Sequence, residues 1–145
     1  MASSACYCVE CSTISTAPPA FATMARGRGT RYIERMSETQ TLAVHDPVVI
    51  RFRDAVRKLY GDRIERIVLY GSRARGDARP DSDYDFAVFL RDAGSFYEET
   101  GRLSGIGVDI LLDTGAVISA LPFDEGEWRM RTGFMHEVRR EGVDL

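Results

Sequence analysis

The sequence predicts an α/β protein of mixed α+β type, with one small mixed sheet of three to four strands flanked by helices. Three observations carry that prediction. Val49, Phe52, Val56 and Leu59 recur at helical spacing behind Asp46-Pro47, a capping residue followed by proline in the first turn. Ile67 to Tyr70 is an apolar run with no polar face, the pattern of a strand covered on both sides. From Asp83 a second run alternates, Asp83 and Asp85 facing one way and Tyr84 and Phe86 the other, before it continues apolar to Leu90.

At 145 residues the chain is long enough for one domain with a proper core. Residues 1–40 read as a disordered N-terminal tail and residues 41–145 as the domain. The first 23 residues are rich in small and hydroxylated side chains, carry Pro18-Pro19 and show no helical or strand period. They also lack the cationic start and continuous apolar centre of a secretory signal. Met24 and Met36 offer later starts, and the first 35 residues read as upstream translation. Cys6, Cys8 and Cys11 all lie in this tail; without a nearby histidine they fall short of a four-ligand zinc site. A domain free of cysteine excludes a disulfide framework and fits a reducing cytoplasm.

The helix that begins after Asp46 is closed by Gly61, with Arg51, Arg53, Arg57 and Lys58 on its polar face. The first strand ends abruptly at Gly71, which permits a turn and the close approach of a ligand. Ser72 adds a hydroxyl, and a helical turn starting there would leave free N–H groups that attract phosphate. Arg73, Arg75 and Arg79 bring three cations into the loop that follows, as partners of phosphate oxygens or as an ordinary solvated loop. Asp83 and Asp85, side by side on one strand face, repel each other unless a cation lies between them. Magnesium suits such a pair, since it takes a few carboxylates together with water and phosphate oxygens.

Beyond Leu90 the sequence predicts a short helix and a turn, then a third strand over Val108, Asp109, Ile110, Leu111 and Leu112. If that strand pairs beside the second, Asp109 supplies a third carboxylate, and three acids can hold two ions. Val117 to Phe123 reads as a fourth strand or an extended segment, with Pro122 marking an edge. A last helix ends near Gly142 with Phe134, Met135 and Val138 on its apolar side, and Trp128 is expected either to cover the sheet or to face a partner. His45 and His136 read as surface and structural residues. The formal net charge of −3, with Lys58 the single lysine, gives no sign of a general nucleic-acid binder, and no apolar run is long enough to cross a membrane.

Gly71-Ser72, ten intervening residues, then Asp83-Tyr84-Asp85 resembles the signature of the DNA polymerase β-like nucleotidyltransferase superfamily. Within it the chain is similar to the minimal nucleotidyltransferases, small single domains that often serve as antitoxins to a HEPN-domain RNase. The likeness spans roughly Asp46 to Leu112. It implies a cytoplasmic nucleotidyltransferase that moves AMP from ATP to an acceptor hydroxyl, with a tyrosine of a HEPN-domain toxin as the acceptor in a toxin–antitoxin pair. It further implies Mg2+ (two ions) on Asp83, Asp85 and Asp109, with the triphosphate of ATP held by Gly71 and Ser72, flanked by Arg73 and Arg75. A non-catalytic antitoxin that works by occlusion, or a small-molecule adenylyltransferase of the aminoglycoside-modifying kind, remains an alternative.

Overall fold

The computed structural model describes residues 41–145; the tail over residues 1–40, the alternative starts and the three cysteines lie outside the described residues. Residues 41–44 are helical and lead to the first complete helix, α1 (Pro47–Tyr60). The carboxylate of Asp46 accepts from the Val48 amide at 2.8 Å, satisfying one of the free donors of the first turn, and Pro47 needs no acceptor. Val49, Phe52, Val56 and Tyr60 form the buried stripe. Leu59, expected on that stripe, is 48 % exposed, because the helical step hands its place to Tyr60.

The other elements follow as β1 (Ile64–Tyr70), α2 (Gly71–Arg75), β2 (Tyr84–Leu90), α3 (Phe96–Thr114), β3 (Ile118–Asp124), α4 (Gly133–Glu141) and β4 (Val143–Asp144). The four strands form one mixed sheet in the order β3-β2-β1-β4. β1 pairs antiparallel with both β2 and β4, while β3 runs parallel to β2 after the α3 crossover. Pro122 lies on an edge strand, as its missing N–H requires.

Helices α1 and α3 cover one face of the sheet, where Ile67, Leu69, Phe86, Val88 and Leu90 meet Phe52, Leu103 and Ile110. The rings of Phe52 and Phe86 stack at 4.0 Å between centroids. On the other face Val68, Ala87 and Phe89 pack under Met135 and Val138 of α4, with Trp128 set edge-on to Phe89. Burial of both faces is what the unbroken apolar runs of β1 and β2 predict.

The third strand expected over residues 108–112 does not form. Those residues are the C-terminal part of α3, a 19-residue helix. Leu103, Gly107 and Ile110 are buried at helical spacing, whereas Val108 and Leu112 are 52 % and 78 % exposed. The strand beside β2 is the segment read as the fourth.

A buried carboxylate fastens α1 to α3. Glu99, 2 % exposed, accepts from the Tyr60 hydroxyl at 2.8 Å, from Arg63 at 2.9 Å and from Arg102 at 3.0 Å. Burial alone would raise its pKa, but these donors outweigh that effect and hold the carboxyl below its usual range. Its contribution is therefore full above the unfolded-state value and lost as pH falls through the lowered one. Glu99→Gln is expected to cost about 1.5–3 kcal/mol at pH 7, the range for hydrogen bonds to a charged group. Urea melts should show that difference shrinking as the pH falls below the wild-type Glu99 pKa.

Candidate active site

The site lies where β1 gives way to α2. Gly71 adopts φ +76°, a left-handed conformation that disfavours a side chain. A Cβ on Gly71 would also lie 2.6 Å from Oδ2 of Asp85. Glycine is thus required twice, by the backbone and by the carboxylate packed against it. Ser72 follows in the first turn of α2, whose leading N–H groups have no acceptor within the helix.

Asp85 sits on β2 opposite Tyr70 of β1 and Ser119 of β3. Tyr84 and Phe86, its neighbours in sequence, belong to the core under α1 and α3, so Asp85 faces the other side of the sheet. Asp83 lies just before the strand, on the same side by alternation. Burial pushes the Asp85 carboxyl up, and the charge of Asp83 adds to that; Arg75 and the Ser119 hydroxyl pull the other way. Tyr70 is raised by burial first and by the charge of Asp85 second. Two carboxylates held together against their preference, beside a glycine whose missing side chain lets the turn approach them closely, fit a divalent cation.

The repulsion makes a prediction for the metal-free protein. Because the folded-state pKa of Asp85 is raised, stability is lost as pH climbs from the unfolded value through the folded one. Asp85→Asn, which keeps the shape and removes the charge, is expected to stabilise the metal-free protein at pH 7 by about 0.5–2 kcal/mol. Thermal melts in chelator at pH 4 and pH 7 check this: the gain should appear at the higher pH and fade at the lower.

The arginines divide. Arg73 donates to the carbonyls of Ser82 at 2.8 Å and Pro80 at 3.2 Å, and its guanidinium lies 4.1 Å from the centroid of the Tyr84 ring. That ring is on the core side, so Arg73 braces the loop between the two halves of the motif. Tyr84 in turn donates to Asp46 at 2.9 Å, which ties the cap of α1 to β2. Arg75 is the one whose charge reaches Asp85. It is held by Glu141 of α4 at 2.7 Å and by Asp77 at 3.2 Å. Arg79 is exposed, and its amide donates to the Ser82 hydroxyl.

Asp109 is not brought to this site. It is exposed on α3 and lines a groove with Ala55, Lys58, Leu59, Arg102, Gly105 and Ile106, on the side of the sheet opposite Asp85. The expectation of a third carboxylate there fails with the strand it rested on. Sequence reasoning missed Ser119 and Glu141. The edge strand at 117–123 was legible, and a parallel pairing with the second strand would have pointed to Ser119.

A small mixed sheet carrying Gly-Ser at the end of one strand and two aspartates at the entrance of its antiparallel neighbour defines a nucleotidyltransferase architecture. The family model of the nucleotidyltransferase domain matches residues 49–140, and the chain belongs to that family. The resemblance read from the motif holds at this level. The chain is 24 % identical over 98 residues to a protein of Methanocaldococcus jannaschii named "Putative protein adenylyltransferase", a match spanning 68 % of this chain and 95 % of that one. Among solved structures it is similar to a "putative nucleotidyltransferase from Sulfolobus solfataricus", with 20 % identity, TM-score 0.47, and coverage of 83 % of this chain and 90 % of the other. It is also similar to a chain of a "toxin-antitoxin with AMP-PNP", with 18 % identity, TM-score 0.46, and coverage of 63 % and 69 %. Among the described residues no helix is long and apolar enough to cross a membrane.

Proposed function

We propose that the chain moves AMP from ATP to a hydroxyl of a partner protein, a tyrosine of a HEPN-domain toxin, and so acts as the antitoxin of a cytoplasmic toxin–antitoxin pair. The observation that carries the reading is the close packing of Gly71 against Asp85, which sets the turn after the first strand directly beside the acid pair. The similarity to a protein named for protein adenylylation supports a protein acceptor.

Gly71 and Ser72 receive the triphosphate through their amides and the serine hydroxyl. Asp83 and Asp85 would hold magnesium, which when bound neutralises phosphate charge and makes the α-phosphorus more electrophilic. Arg75, fixed by Glu141, contributes positive charge beside the acids. The acceptor oxygen bonds to the α-phosphorus, the bond from that phosphorus to the α,β-bridging oxygen breaks, pyrophosphate leaves, and the acceptor proton passes to solvent. A binding-only antitoxin is the competing reading. It is favoured by one observation: the structure brings two carboxylates together here, where three were expected.

ATP labelled at the α- or the γ-phosphate, incubated with magnesium, this protein and the proposed HEPN-domain partner, separates the two. Label from the α-position on the partner and none from the γ-position is the expected result. Neutralisation of the toxin at equal amounts with no label transferred would leave only binding.

A further inference from the structure

The geometry points to a site that holds one divalent cation tightly rather than two, with Ser119 standing where a third ligand would have to reach the second. This deepens the reading given under Proposed function and rests on it. Asp85 has one register neighbour on each side, Tyr70 on β1 and Ser119 on β3. Ile118 and Ala120 pack toward the α1 and α3 core, and Phe123 packs on the opposite face. Alternation therefore turns Ser119 to the same side as Asp85. Neither neighbour carries a negative charge.

Three further acids near the turn have cationic partners, and one of them, Glu137, pairs with Arg140. Asp77 and Glu141 both pair with Arg75, which occupies the side of the site nearest α4. Among the described residues no group of three or more histidine, cysteine, aspartate or glutamate side chains could hold a metal together. Two carboxylates neutralise one divalent ion. A second ion would rest on nucleotide oxygens and water, because a neutral serine hydroxyl is a much poorer ligand for a hard cation than a carboxylate. Ser119, the register partner of Asp85 on β3, stands beside that carboxylate as a neutral hydroxyl, which makes it a positioning residue for the first ion.

Manganese alone, titrated into the full chain and counted by its electron paramagnetic resonance signal, tests this without reference to activity. Wild type should bind one Mn2+ per chain at the site, and Asp83→Asn with Asp85→Asn should remove it. Ser119→Asp, which sets a third carboxylate beside Asp85, should bind a second Mn2+ or lower the Kd of the first by about tenfold, since ligand charge sets affinity at oxygen sites. Ser119→Asn, of similar size but neutral, should keep the count at one. Two site-bound ions in wild type, or in the Asn variant, would overturn the inference while leaving the proposed activity standing. So would a folded Ser119→Asp that changes neither count nor affinity. A wild type that binds no Mn2+ at the acid pair would overturn both the inference and the metal dependence beneath it.

Discussion

Replacing Asp83 and Asp85 together by asparagine is expected to lower nucleotidyl transfer by about a thousandfold or more, close to 4 kcal/mol of transition-state stabilisation, without unfolding the protein. Asp83 is exposed and Asp85 only half-buried, and neither fills the core, so the substitutions remove charge and leave packing alone. The metal-free variant should melt higher than wild type, since the raised pKa of Asp85 records a penalty that the amide does not carry. Saturating magnesium and ATP should stabilise wild type by about 2.7 kcal/mol at a hundred times Kd, and the variant hardly at all. Opposite movement of stability and activity is the mark of a charge pair kept for a ligand. A variant that lost both would instead mean that the carboxylates hold the fold.

Gly71→Ala carries the second large effect. The left-handed backbone at φ +76° costs a side chain about 1–2 kcal/mol, and the new methyl cannot coexist with Asp85 Oδ2 at 2.6 Å. Either the carboxylate or the turn must move, and a displacement on the order of 1 Å at a reacting centre costs about a hundredfold in rate. Gly61 supplies the control. It too has positive φ, at +53°, but a Cβ there would meet nothing within 4 Å. Gly61→Ala should therefore lose stability by backbone strain and keep its transfer rate, whereas Gly71→Ala should lose both. Equal rates for the two variants would mean that Gly71 matters only as a turn.

The two-part motif was legible because each half is local. An apolar strand, a glycine and two aspartates at alternate positions declare their geometry within a few residues, and the structure keeps them where alternation put them. The stretch Val108 to Leu112 was not legible, because five residues with one acid satisfy a strand as readily as a helix. Gly101, Gly105 and Gly107 lower helix propensity just upstream and conceal a helix that stands because Leu103 and Ile110 pack into the core. Tertiary burial overrode local preference, and Asp109 went with the helix. The two-residue β4 is too short to signal itself and exists by pairing with Val68 and Leu69. The Arg75 to Glu141 contact joins residues 66 apart in sequence, beyond any periodicity. Sequence showed which acids lie near Gly71; the neighbours of Asp85 needed the sheet order.

The most direct measurement of the central claim is the intact mass of the proposed HEPN-domain partner after co-expression with this chain. With wild type, the partner should carry the added mass of one or more AMP groups, located on tyrosine by fragmentation. With Asp83→Asn and Asp85→Asn it should carry none and remain toxic. An unmodified partner that wild type and the double variant neutralise equally well would contradict nucleotidyl transfer as the mechanism.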